Sequence, residues 1–316
     1  MKCLREFSVE PVEYTIYNIL LLSVLLPVVS VLAFLCNAFC VFLFAQPNLR
    51  TRAVFGYCST LAVVDCLVAV WNLVKFFLAN FRKYSTAAWS IYAYSFYLCY
   101  VPGESIQLSS SYLTILLLVR VVRSVGMLQQ VDAASSRCLL AIFSFCLLFN
   151  LPRGLEVDFD SCLLKLGNGS YTRLVTLKPS HYFLRGHFWF YRNIYYTYLQ
   201  MVFVSWGPAV ITAVLVLIAV VCARGKCSKS DPHKAVIAVA TSRVVTFVLQ
   251  MVLQYMADHG PPYPYKYYLS DAAHLLQGLL PAFNGPLFFC GCMQFRKTLR
   301  KLLGVHSTNR SFDQYR

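Results

Sequence analysis

The chain has 316 residues, 58% hydrophobic and 13% charged, against roughly 45–50% and about 25% for a soluble domain. A mean hydropathy of +0.58 leaves too few polar residues to coat one or two water-soluble domains, which argues against an ordinary globular enzyme and for a membrane domain. The formal charge of +15 would also suit nucleic acid, so the placement of the cations decides its meaning.

Seven apolar runs are long enough, or nearly so, to cross a hydrocarbon core. In chain order they are Tyr17–Ala45, Val54–Ala79, Ile91–Val119, Cys138–Leu151, Asn193–Cys222, Ala235–Ala257 and Tyr268–Cys290. The polar stretches between them could not lie exposed in lipid. The fourth run is short and the third carries Glu104; a helix packed among others tolerates both. The first run follows Glu6, Glu10 and Glu13 and has no small-residue cleavage site, so it reads as a retained helix. After the seventh, Phe295–Leu303 spaces apolar residues at i, i+4, i+7 and i+8 with four cations between, the pattern of an amphipathic helix on anionic lipid. The expected fold is an all-α membrane protein: a seven-helix bundle over 17–291, preceded by an outer N-terminus (1–16) and followed by the amphipathic helix and a short inner tail (292–316).

Lys and Arg set the orientation. Fifteen lie in the loops that include Arg50, Arg120, Arg123 and Arg224 and in the C-terminal tail. The other side holds five once the long stretch from Arg153 to Arg192 is discounted. The N-terminus is therefore expected outside and the C-terminus in the cytoplasm, and the charge is read as a face for lipid and partner proteins, with no nucleic acid. The sequon Asn168-Gly169-Ser170 falls in the long loop this topology places outside, so Asn168 is a candidate glycosylation site. Of the thirteen Cys, Cys36, Cys40, Cys58, Cys66, Cys146 and Cys290 sit inside apolar runs, where the residue behaves as a small hydrophobe.

Several motifs resemble those of rhodopsin-like G-protein-coupled receptors at matching places along nearly the whole chain. They are Asn37 in run one, Leu61-Ala62-Val63-Val64-Asp65 in run two, Pro208 in run five and Asn284-Gly285-Pro286-Leu287-Phe288-Phe289 ahead of Phe295-Arg296. Phe149-Asn150-Leu151-Pro152-Arg153-Gly154-Leu155-Glu156, Phe190-Tyr191-Arg192-Asn193-Ile194-Tyr195-Tyr196 and Ser109–Thr114 are similar to strings in invertebrate receptors for FMRFamide-type neuropeptides. The departures fall on the moving parts. Val119-Arg120-Val121-Val122-Arg123 lacks the family's acid beside the Arg, run four lacks its Trp, run six lacks Cys-Trp-x-Pro, and the run-seven motif ends in Phe289.

The resemblance implies a disulfide between Cys99 and Cys162, with Cys3 a competitor for either and two unpaired thiols the alternative. It implies a buried polar cluster of Asn37, Asp65, Asn284 and one of Ser109, Ser110 or Ser111, holding water or sodium at Asp65; a hydrogen-bonded acid with no ion is the alternative. Arg120 and Arg123 would belong to the G-protein face. Glu104, Gln107 and Ser111, at i, i+3 and i+7, share one face of run three and should look into the bundle. With Glu156, Arg192, Tyr195, Tyr196, Gln254, Asp258, Asp271, His274 and Gln277 they would line a cavity rich in acids and Tyr. Such a cavity suits a peptide ending in Arg-Phe-amide, carboxylates taking the guanidinium and rings taking the Phe. The implied partners are an extracellular RF-amide peptide, a heterotrimeric G protein and plasma-membrane lipid, with no cofactor and no metal beyond that sodium. The other readings are a chemosensory seven-span receptor for small molecules, a non-signalling divergent receptor, and a seven-span channel. No phosphate-cradling Gly loop, Cys-x-x-Cys, His-Glu-x-x-His or Gly-x-Ser-x-Gly string argues for an enzyme.

Overall fold

The computed structural model describes residues 12–50, 53–82, 85–125, 135–165, 171–180, 189–226, 231–260 and 265–303. Among the described residues six helices are long and apolar enough to cross a membrane: Thr15–Phe44, Val54–Phe81, Ala88–Ser124, Arg137–Leu155, Asn193–Cys222 and Pro232–His259, numbered here as spans one to six. Tyr265–Gly291, span seven, passes the same test together with the terminal helix Met293–Leu302, from which it is bent by 91°. The chain is thus a helical bundle with the helix lengths and composition of a multi-pass membrane protein, six to seven of its helices being able to span.

Span one shows why the runs pack as they do. Leu26, Val29, Ala33, Asn37, Cys40 and Phe44 recur every three or four residues and are buried, while Val24, Val28, Leu32, Leu35 and Phe42 between them are exposed. An apolar exposed stripe beside a buried one is the expected pattern for a helix at the lipid edge of a bundle. Several spans contain wider π turns: Ile19–Leu25 in span one, Leu73–Leu78 in span two, and Phe190–Leu199 and Met201–Trp206 leading into and through span five. The last of these stops just before Gly207-Pro208, where the missing proline N–H already breaks the regular ladder.

Aromatic packing closes one end. Phe44 lies 5.6 Å from Phe55, 5.1 Å from Phe288 and 5.6 Å from Phe295 by ring centroids. Phe295 thereby docks the terminal helix, leaving Lys297, Arg300 and Lys301 exposed. Extended backbone at Cys292 makes the bend. Gly291 allows span seven to touch span six there, since a Cβ would come within 3.0 Å of the Ala235 Cα.

The expectation of an all-α chain needs one addition. Val157–Lys165 (β1) and Tyr171–Pro179 (β2) pair antiparallel, with Cys162 opposite Leu174. The alternation Val157-Asp158-Phe159-Asp160 and the β-branched residues of Tyr171–Pro179 favour this pleated pair. Phe159 seats the hairpin on span three, 4.3 Å from Tyr97 and 5.3 Å from Tyr94. The end bearing the hairpin is called the outer end, after the orientation expected from the charges, and the opposite end the inner end. Span three begins a turn earlier than its apolar run suggests, and span four runs past its own into a 3-10 turn at Leu151–Leu155. Asn168 and the N-terminal residues before Val12 lie outside the described residues.

Candidate functional site

Two buried polar clusters lie between the spans, one at mid-depth and one toward the outer end. The mid-depth cluster grows from Asp65, which is fully buried in span two and so needs partners. Ser110 of span three donates to Asp65 Oδ1 at 2.5 Å. Asn284 of span seven donates its amide to Asp65 Oδ2 and to Asn37 Oδ1 of span one, the latter at 3.0 Å. Asn37 in turn donates to the Ala33 and Pro281 carbonyls, both at 2.8 Å. The expected members therefore do meet, and of the three candidate serines it is Ser110 that joins them.

A cation from the chain itself reaches Asp65. Arg243 of span six puts Nη2 against Asp65 Oδ2 and Nη1 on the Ser110 hydroxyl at 2.6 Å. A guanidinium thus stands where an ion was expected, and the carboxylate's charge is cancelled from within the chain. Five spans meet at this point. Arg243 is a lone cation in an apolar run, so its need for a buried acid was visible in the sequence, and a search for Asp65's partners among neutral groups alone passes over it.

The outer cluster is built on Glu104 and Glu156. Glu104 is buried in span three, with Lys75 Nζ on one oxygen at 2.6 Å and Arg153 Nη1 on the other at 2.6 Å. The indole N–H of Trp71 reaches the first oxygen at 3.3 Å. The π turn Leu73–Leu78 carries Lys75, and the 3-10 turn after span four carries Arg153. Gly103 lets Trp71 lie flat against span three, because a Cβ there would come 2.2 Å from the indole ring. Glu156 accepts from the hydroxyls of Tyr100 and Tyr191, each at 2.5 Å, and lies 3.6 Å from Arg153 Nε. The Arg153 guanidinium also sits 5.0 Å from the centroid of the Tyr100 ring. Lys75, Arg153, Trp71, Tyr100 and Tyr191 thus complete a network of which sequence reasoning picked out the two acids.

The remaining expected ligand residues divide by depth. Gln277 accepts from Gln250 at 3.2 Å across spans six and seven, and His274 stacks on Phe76 at 4.6 Å. Asp271 accepts from Asn18 at 2.7 Å, tying span seven to span one. Tyr195 is buried and donates to the Phe149 carbonyl at 2.5 Å, whereas Tyr196 is 46% exposed. Asp258 is exposed at the rim, with Gln254 at 3.4 Å. Gln107 is half-buried with an unpartnered Oε1, and Ser111 lines a cavity toward span five. Arg192 lies on the π turn Phe190–Leu199. The acids expected to greet a cationic ligand are thus mostly committed to internal partners.

The disulfide needs a correction. Cys162 is disulfide-bonded, but Cys99 is a free, exposed thiol, so the bridge does not join these two. The partner of Cys162 lies outside the described residues. Further contacts fix the base of the hairpin to span four: Ser180 donates through N–H to the Glu156 carbonyl (2.8 Å) and through its hydroxyl to the Leu155 carbonyl (2.5 Å). On the hairpin itself, the Ser161 N–H at 2.8 Å and then Lys178 at 3.4 Å hold the Asp160 carboxyl below its ordinary pKa.

At the inner end Arg120 donates to the Tyr57 hydroxyl at 3.1 Å and stacks over that ring, while Arg123 is exposed. Ser124 and His233 link spans three and six at 3.1 Å. No protein-family model matches the chain, and no curated protein matches it.

Proposed function

We propose that the chain is a divergent G-protein-coupled receptor of the plasma membrane, with its N-terminus outside, its C-terminus in the cytoplasm, and an extracellular RF-amide-type peptide as ligand. The observation that carries this reading is the mid-depth cluster. Asn37, Asp65, Ser110, Arg243 and Asn284 join spans one, two, three, six and seven by hydrogen bonds. A tilt of span six at its outer end is felt at Asp65 and so at the inner ends of its neighbours, the kind of bistable element a signalling bundle needs. The motif strings around Asp65, Asn150–Glu156 and Asn284 support the same family.

The paired state of the acids shapes the peptide reading. Glu104 and Glu156 form a neutralised floor, and the peptide's guanidinium meets Asp258 at the exposed rim. The exposed basic helix ends and the terminal helix serve the G protein and lipid. A second reading, a receptor for small molecules, is favoured by that same neutralisation, since Glu104 and Glu156 already have cations and phenols on them and do not call for a charged ligand.

The test is a calcium and cyclic-AMP screen of cells displaying the chain at their surface, against RF-amide peptides and against small volatile compounds. A saturable peptide response, weakened at least ~10-fold in half-maximal dose by Asp258→Asn, supports the peptide reading, one charge-assisted contact being worth about 1.5–3 kcal/mol. Silence to every peptide with a response to small molecules replaces it with the second reading.

A further inference from the structure

The chain has thirteen cysteines. Ten of them are free thiols among the described residues, Cys99 included, and Cys162 is disulfide-bonded. The two that remain, Cys3 and Cys227, both lie outside the described residues, so one of them holds Cys162.

Position separates the two. Ser180 binds the carbonyls of Glu156 and Leu155, which places the hairpin at the end of span four, the end from which span five also starts. Span five then runs for 30 residues, roughly 45 Å at 1.5 Å per residue, and its helix ends at Lys226. Cys227 follows directly in the chain and so belongs to the opposite end of the bundle. A disulfide needs its Cα atoms within about 7 Å, which excludes Cys227 whichever way the bundle is oriented.

Cys3 enters at the hairpin's own end. Asn80 near the end of span two donates to Ser23 of span one at 2.9 Å. Lys75, earlier in span two, reaches Glu104, whose other oxygen holds Arg153 beside Glu156. The head of span one and the base of the hairpin therefore share one end. Nine residues separate Cys3 from Val12, where the helix leading into span one begins, so the arm reaches up to about 30 Å when extended, the diameter of a small domain. The pleat of the hairpin agrees with the free state of Cys99. Phe159, which seats β1 on Tyr94 and Tyr97 of span three, stands an odd number of residues from Cys162, so the two lie on opposite faces of the strand.

We infer that Cys3 and Cys162 form the disulfide, which ties the arm ahead of span one to the outer hairpin. Two thiols become one disulfide, and the two electrons and two protons pass to a disulfide-bearing oxidoreductase of the secretory pathway. The hairpin is then moored in three ways: Ser180 to the end of span four, Phe159 to span three, and Cys162 to the N-terminal arm. Span three carries no covalent tie to it, so its outer end can shift against the hairpin without straining a bond. The inference rests on the cysteine count and the packing, and it stands whether or not the chain is a receptor.

The test maps the bridge in the full chain, expressed in animal cells, purified in detergent, alkylated with iodoacetamide after unfolding without reductant, and cut with trypsin. Cleavage after Lys2, Arg5, Arg153 and Lys165 releases the peptides 3–5 and 154–165. Mass spectrometry is expected to find these two joined, at their combined mass less two hydrogens, and to find them singly after dithiothreitol. Peptide 154–165 found alkylated overturns the inference. So does its linkage to 84–120, which carries Cys99, to 227–229, which carries Cys227, or to a second copy of itself. Surface display gives an independent readout. Cys3→Ser should lose as much display as Cys162→Ser, the double variant no more than either, and Cys227→Ser none. Full display of Cys3→Ser beside a loss in Cys162→Ser overturns the inference as well.

Discussion

The two buried clusters meet the same problem, a carboxylate taken out of water, in different ways. At mid-depth one guanidinium on span six serves one carboxylate on span two, and neutral side chains from spans one, three and seven fill the other positions. Toward the outer end two acids share two cations and two phenols, and the cations ride on a π turn and a 3-10 turn. Lys75 is a quarter exposed whereas Asp65 is fully buried. The mid-depth arrangement has no slack: losing either Arg243 or Asp65 leaves the other charge with nowhere to go. The outer one can rearrange, because a lysine on a flexible stem can turn toward water when its acid is gone.

The sharpest way to break the comparison is Arg243→Gln. It strands Asp65 and should cost about 3–5 kcal/mol of stability, read from the unfolding midpoint in mixed micelles. Adding Asp65→Asn should restore most of the loss; a single variant as stable as the parent would remove the pair from the account. Next comes the hairpin that covers the outer cluster. Cys162→Ser should cost about 2–4 kcal/mol and lower surface display, while Cys99→Ser changes neither. Equal losses in both variants would contradict the assignment of the bridge.

Glu104→Gln tests the slack directly. With Lys75 free to reach water and Arg153 still near Glu156, the loss should be about 1–3 kcal/mol, smaller than at Arg243. A loss as large as that of Arg243→Gln would show the two clusters to be equally rigid. The smallest effect is expected on the hairpin. The lowered pKa of Asp160 means its ionised form favours the folded state, a contribution present above pH 3.8 and lost as pH falls through the folded value. Solvent screens it, so Asp160→Asn should leave the unfolding midpoint at neutral pH unchanged.

Much of the bundle was legible because lipid imposes a simple code. Apolar length marks a helix able to span, and the runs beginning at Asn193 and ending at Cys222 coincide with the helix found. Isolated acids in such runs had to find polar partners, so Asp65 and Glu104 could be named without a structure, while Asn37 and Asn284 were named through the resemblance. The hairpin was missed because two nine-residue strands in a loop give a far weaker signal than a twenty-residue apolar run. The wrong half of the disulfide came from the resemblance and not from any pattern in the residues, since connectivity among several Cys cannot be deduced from sequence.

Composition and periodicity by themselves determined that this protein is a bundle of apolar helices with buried polar groups, since hydropathy and the backbone's need for internal hydrogen bonds depend only on residue type and order. Tertiary structure alone decided which charge meets which. Arg243 and Asp65 are far apart in the chain and are brought together because spans two and six both pack on span three, and Glu104 finds Lys75 and Arg153 through two irregular turns. Pairing energies depend on distances of a few ångströms between segments remote in sequence, so the chain can announce that each buried charge needs a partner without stating who the partner is.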